Sequence, residues 1–332
     1  MLKTAVIGVG CMGKHHARVY SELEDVELVG VADLNIEAAE QIAGDYKSRP
    51  YSDYKEMLLT EKPDAVSIAV PTIHHKEVAL FALEHGIHVL VEKPIAHTVE
   101  AAMEISNKAY EKGLTLMVGH IERFNPAVQE LKKVIESEKI GQPVAMSARR
   151  VGPFTNRISD VGVIIDVGVH DIDIMSYLFN DTIHRAYASA GHSRGQNETH
   201  AMIMLQFNQG GTGIIETNRL TPKKIRELTV TGTHGVAIVD YIEQSLTIHN
   251  GDTVIHDIAK IEPLKNELMH FIDCLNKGTR PLVNGIEGTH ALEVALGAVS
   301  SYQNNRLEHM AKTVNIGSSD GNPSYIKEVC AY

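Results

Sequence analysis

Three short stretches of this chain carry residue types and spacings that could do chemistry. The first is Gly8-Val9-Gly10-Cys11-Met12-Gly13, which follows an apolar run and opens a helical one. Gly8 suits a tight turn, Gly10 a close approach of backbone to a pyrophosphate, and Gly13 close packing of helix on strand. With Cys11 and Met12 between them, these residues form a candidate dinucleotide loop at a helix N-terminus, whose N–H groups and dipole favour phosphate. Asp33 follows 20 residues after Gly13 and is placed to accept hydrogen bonds from a ribose. Leu34 and Asn35 follow, with no Arg or Lys to hold a 2′-phosphate, so NAD is expected over NADP. The second stretch, Glu92-Lys93-Pro94, follows a buried apolar run, as does Pro71-Thr72, which leads to His75; ligands of such sheets bind beyond the strands' carboxyl ends, so Pro71, Thr72, His75, Glu92 and Lys93 are expected cofactor contacts. A lysine at such a strand end is either a ligand-facing amine or a loop residue paired with its neighbour. The third stretch is Asp166-Val167-Gly168-Val169-His170. Its acid and imidazole, spaced i and i+4, lie on one helix face. The pair suits proton abstraction from an alcohol and equally suits a structural hydrogen bond.

The elements that must position these residues follow from patterning. Residues 4–9, 28–32, 65–70, 88–91 and 114–118 are short runs apolar throughout, as in strands buried on both faces. Amphipathic stretches at 37–44, 77–85 and 99–112 alternate with them, so parallel βαβ units are expected. Gly86 and Gly113 mark two helix ends. Beyond residue 120 the rhythm changes. Helices are expected at 126–138 and 163–179. Strands at 199–207, 213–220, 226–231, 237–241 and 245–249 are separated by glycine turns, as in an antiparallel meander. Two helices, at 263–277 and 288–303, end the body. The expected division is 1–120 for a cofactor domain, 121–310 for a substrate and oligomerisation domain, and 311–332 for a loose tail.

Composition limits the function. Thirty-one basic residues against 42 acidic ones give a net charge of −11, which disfavours nucleic acid. No apolar run is long enough to span a membrane and the start does not resemble a signal peptide. The three cysteines make neither a disulfide framework nor a zinc spacing, and the 18 histidines show no HExxH or HxH pattern. A cytoplasmic protein without a metal site is expected.

The order of the glycine loop, Asp33, Pro71-x-x-x-His75-x-x-x-Ala79, Gly86-x-His88-Val89 and Glu92-Lys93-Pro94 resembles the glucose–fructose oxidoreductase/inositol dehydrogenase (Gfo/Idh/MocA) family across residues 4–305. The resemblance implies an α/β fold: a Rossmann domain with a parallel sheet, then an α/β domain with a large, mainly antiparallel sheet that faces outward and often forms an oligomer interface. A homodimer or homotetramer is implied. It also implies that Lys93 sits beside the nicotinamide and the reacting carbinol, with a cis bond to Pro94, and that Asp166 and His170 are catalytic. Here Gly162 is followed by Val163-Ile164-Ile165, where the family usually has glycines before the aspartate.

The segment His120-Ile121-Glu122-Arg123-Phe124-Asn125-Pro126 resembles a narrower branch, the 3-dehydrogenases of UDP-N-acetylglucosamine and of its uronic acid. That branch implies a substrate site at His120, Arg123 and Asn125. Arg149, Arg150 and Arg157 add positive charge, suited either to pyrophosphate or to surface ion pairs. The expected activity is NAD-dependent oxidation of a CH–OH group to a keto sugar, at C3 of UDP-N-acetylglucosamine. Inositol, a free sugar or the uronate is the alternative substrate, and a non-catalytic NAD-binding regulator the alternative class.

Overall fold

The structure is a computed structural model and describes residues 1–154, 161–193 and 197–311. The chain forms two compact units: Met1–Ile121 with Glu262–Thr289, and Glu122–Ile261 with the chain from His290 onward.

In the first unit, strands alternate with helices. They are β1 (Leu2–Ile7), α1 (Gly13–Glu22), β2 (Val26–Ala32), α2 (Ile36–Tyr46), β3 (Arg49–Tyr51), α3 (Tyr54–Glu61), β4 (Ala65–Ile68), α4 (His75–Glu84), β5 (His88–Glu92), α5 (Val99–Lys112) and β6 (Leu116–Gly119). All six strands pair in parallel, in the order β3-β2-β1-β4-β5-β6. Every residue of β4 and β6 is buried, which is why those segments read as continuous apolar runs. Side-chain caps start α2, α3 and α5: Asn35 accepts from the Glu37 and Ala38 N–H groups, Asp53 from Lys55, and Thr98 from Ala101. Each cap contributes about 1 kcal/mol. Gly113 ends α5 in the left-handed conformation, at φ 66°. The order of pairing reverses between β1 and β4. That switch point brings the loops after β1, β4 and β5 to one edge of the sheet.

The second unit begins with α6 (Pro126–Glu136), β7 (Pro143–Val151) and α7 (Val169–Phe179), followed by β8 (Ile183–Gly191), β9 (His200–Phe207), β10 (Thr212–Asn218), β11 (Ile225–Gly232), β12 (Val236–Asp240), β13 (Ser245–His249) and β14 (Thr253–His256). After α8 (Pro263–Lys277) come α9 (Gly285–Asn304) and β15 (Glu308–His309), which pairs with β8. The sheet has nine strands, ordered β14-β13-β12-β11-β7-β10-β9-β8-β15. Strict alternation in β9 buries one face only. Val128 and Leu131 of α6, Ile172 and Met175 of α7, and Val294 and Ala298 of α9 build the core on that face.

Two expectations are corrected here. The strands from 199 to 249 do not form a simple meander. β7 lies between β10, its parallel partner, and β11. Its sequence, PVAMSARRV, has no apolar run, so only its alternation of buried Met146, Ala148 and Arg150 marks it as a strand. The second correction concerns α8, assigned by the sequence boundaries to the second domain. It buries Leu264, Leu268, Phe271 and Ile272 within the first unit and packs on α1. Arg18 of α1 pairs with Glu262 at the start of that helix.

Candidate active site

In the first unit the glycine turn leaves β1 with Gly8 at φ +85°. A Cβ at Gly8 would come within 2.7 Å of the Ala69 carbonyl oxygen, and one at Gly13 within 1.7 Å of the Gly8 oxygen, so only glycine closes this turn. A Cβ at Gly10 would meet no protein atom within 4 Å. That position therefore faces open space, as the approach of a pyrophosphate requires. Cys11 is exposed, and no side chain caps α1 at Met12, so its first N–H groups are not taken by a cap. Asp33 follows β2. Its Oδ2 accepts from Val9 N–H at 2.8 Å and its Oδ1 from Asn35 N–H at 2.9 Å. Both oxygens retain capacity for a ribose hydroxyl. Leu34 beside it is 94% exposed. These residues fit NAD: Gly10 and the start of α1 for the diphosphate, Asp33 for the adenosine ribose.

Pro71 and Thr72 follow β4 at the same edge, Pro71 exposed and Thr72 partly so, in a 3-10 turn over Thr72–His74. His75, read from sequence as a cofactor contact, is instead 1% exposed. Its Nδ1 lies 3.0 Å from the Pro94 carbonyl oxygen and its Nε2 2.9 Å from that of Val70. Burial pushes its pKa below the usual value. The ring ties two strand-end loops together. Glu92 also turns inward, to His16 of α1 at 2.9 Å. Lys93 is partly exposed between them, and its bond to Pro94 is cis. His120, just after β6, is buried.

In the second unit a five-residue π-helical turn over Ile164–Gly168 precedes α7, where the sequence reads as one continuous helix. Such turns recur at functional sites. Asp166 lies in it and His170 in the first turn of α7, both half-buried. Asp166 is paired with Arg219, which follows β10. Arg219 escaped sequence reading because nothing in the spacing of 166 and 219 connects them. The one signal was a lone arginine after a strand.

The arginines expected to add positive charge near the substrate differ in placement. Arg123 is 3% exposed and forks onto Asp173, with Nε at 2.8 Å and Nη2 at 2.7 Å. Its guanidinium also lies over the Tyr177 ring. Asn125 caps α6, accepting from Ala127 N–H, and its amide donates to the Tyr241 carbonyl. Both side chains, read as substrate contacts, are engaged within the unit's interior. Arg149 points to the exposed face of the sheet and pairs with Glu216 at 3.0 Å. Arg150 points the opposite way, because successive strand residues alternate faces. It forks onto Asp171 and donates to Glu122 at 2.6 Å. Although burial acts against its charge, Asp171 and Glu122 hold the Arg150 guanidinium charged. Arg157 lies outside the described residues.

A parallel sheet in this order, with a glycine turn at the switch point and an acid after β2, is the architecture of a dinucleotide-binding domain. The chain belongs to the Gfo/Idh/MocA family. Residues 2–120 match the family described as an oxidoreductase family with an NAD-binding Rossmann fold, and residues 128–238 match the GFO/IDH/MocA C-terminal domain. A UDP-N-acetylglucosamine 3-dehydrogenase from Acidithiobacillus ferrooxidans is 29% identical, over 89% of this chain and 95% of that protein. Its solved structure superposes with a TM-score of 0.86 at 30% identity, covering 91% of this chain and 98% of the other. A scyllo-inositol 2-dehydrogenase (NAD(+)) from Bacillus subtilis is 31% identical, over 91% of this chain and 94% of that protein. An Agrobacterium radiobacter oxidoreductase solved with NAD+ shares the fold, with a TM-score of 0.87 at 20% identity over 93% of this chain and 98% of the other. The chain is thus an NAD-dependent dehydrogenase of the sugar and polyol class, acting on CH–OH groups. Among the described residues, no helix is long and apolar enough to cross a membrane.

Proposed function

We propose that this enzyme oxidises the C3 hydroxyl of UDP-N-acetylglucosamine to a ketone, with NAD+ reduced to NADH and one proton released. The observation that carries this reading is likeness along nearly the whole length to a UDP-N-acetylglucosamine 3-dehydrogenase. Bound NAD+ would accept the hydride. His170 takes the hydroxyl proton, Lys93 hydrogen-bonds the reacting oxygen, and Asp166, paired with Arg219, holds a substrate hydroxyl or the imidazole. A second reading, inositol as substrate, is favoured by a specific observation. Arg123 and Asn125 have internal partners, so neither acts as a pyrophosphate clamp.

The test is NADH absorbance with UDP-N-acetylglucosamine, its uronic acid, scyllo-inositol, myo-inositol and free glucose. Turnover of the UDP-sugar, reduced at least about 100-fold by Lys93→Ala, is expected. Turnover confined to inositols selects the second reading. Tight NAD+ binding with no turnover of any of them sinks both.

We further infer that the enzyme is a homodimer or homotetramer joined through the outer face of the nine-stranded sheet. Met202, Met204, Ile214 and Ile238 are exposed there, an apolar face of the kind that marks an interface. Light scattering is expected to give two or four chains, and Met202→Glu/Met204→Glu a smaller particle. A monomeric parent would refute the inference.

A further inference from the structure

The loop that carries Lys93 is fastened from below by groups the chemistry does not itself use. β5 ends at Glu92, whose side chain turns inward and is 8% exposed. Its Oε1 accepts from His16 Nε2 at 2.9 Å. Its Oε2 accepts from the backbone N–H of Lys93 at 3.3 Å. His16 is fully buried on α1, and its Nδ1 has no hydrogen-bond partner among the described residues, so Glu92 is its single tether. Space for the carboxylate comes from β6. Gly119 pairs with Glu92, and a Cβ there would press within 3.2 Å of the Glu92 carboxyl carbon. The second fastening is His75, on the carbonyl of Pro94.

A buried carboxylate is costly unless paired. Burial acts against the charge of Glu92, yet the His16 bond and the charges of His16, Lys93 and His75 hold its pKa below the ordinary value. Glu92 is therefore an ionised acceptor, and its bond to the Lys93 N–H is charge-assisted. The charged groups of α5 near α4 are engaged elsewhere, Glu104 with Lys76 and Lys108 with Glu84. The carboxylate that faces His75 is Glu92.

We propose that His16 and Glu92 are positioning residues: the helix that follows the glycine turn holds Glu92, and Glu92 fixes the backbone on which Lys93 stands. The same helix starts at the glycine turn that would hold the cofactor's diphosphate, so one element sets both that turn and the lysine. The proposal rests on the catalytic reading of Lys93, but its first measurement does not. Hydrogen exchange at the Lys93 amide, followed by mass spectrometry of a peptide spanning 90–95, needs no substrate.

His16→Ala is expected to speed that exchange at least 10-fold. His16→Gln, which keeps an N–H donor, is expected to restore it to within about 3-fold. With the substrate identified by the screen above, His16→Ala is expected to lower kcat about 10-fold or more while the KM for NAD+ stays within 3-fold, and His16→Gln to recover most of that loss. Should His16→Ala not fold, Glu92→Gln serves instead. It keeps the size but loses the charge, and the same exchange and kcat losses are expected, several-fold in size. Unchanged exchange and kcat, with only a lower Tm, would overturn the proposal. Faster exchange rescued by glutamine, in a protein that turns over no sugar or polyol, would uphold the tether and refute the catalytic reading of Lys93.

Discussion

Arg150→Met is expected to destabilise the second unit by about 3–5 kcal/mol, the cost of leaving buried charge uncompensated. The guanidinium is 3% exposed and faces two buried carboxylates, Asp171 and Glu122, with the Tyr241 ring 4.8 Å away. Methionine fills much of the space but supplies no donor. Among the described residues, Glu122 would keep Arg226, at 3.5 Å, and Asp171 would lose both bonds of its fork. Arg150→Met/Asp171→Leu should lose less than the single variant, because it removes the stranded carboxylate along with its partner. Urea unfolding of the full chain measures both. A single-variant loss under about 1 kcal/mol would mean that water reaches the carboxylates. Arg149, one residue away, is the contrast: its pair with Glu216 is half-exposed, and Arg149→Met should cost at most about 1 kcal/mol.

That contrast marks what a sequence can and cannot disclose. The first unit was legible because its strands are buried on both faces and its turn chemistry is local. Gly8, Gly13 and Asp33 are recognisable from spacing alone, since each acts through backbone geometry within one βαβ unit. In the second unit the information is long-range. Whether Arg149 or Arg150 faces the core depends on the register of β7, and β7 shows no apolar run. Arg123 looked like a ligand contact because its partner, Asp173, lies 50 residues on. The same holds for Glu92, whose inward turn depends on His16 of another element 76 residues away. A charged residue just after a buried strand reads as a ligand contact. Only placement distinguishes one that touches a ligand from one that holds the chain which does. The DxxxH motif shows this too. On a regular helix its spacing puts both side chains on one face, whereas Asp166 lies in a π-helical turn and pairs with Arg219, which follows β10.

His170→Gln is expected to lower kcat about 10²- to 10⁴-fold, the range for loss of a general base. Glutamine keeps a polar side chain of similar reach but cannot accept the hydroxyl proton at neutral pH. A base must be unprotonated to act, so kcat/KM of the parent enzyme should fall as pH is lowered, and that acidic limb should vanish in the variant. The size and shape of the effect separate two roles. A residue that only binds substrate would raise KM and leave kcat and its pH dependence in place. Asp166→Asn and Arg219→Ala should give smaller losses and keep the acidic limb, because in the proposed mechanism both would act through position and charge rather than by taking the proton. The Asp166→Asn/Arg219→Ala double variant should lose little more than the worse single one, since each change already breaks the same pair. If the losses instead multiply, Asp166 and Arg219 serve separate ends of the substrate, and Arg219 becomes a binding residue in its own right.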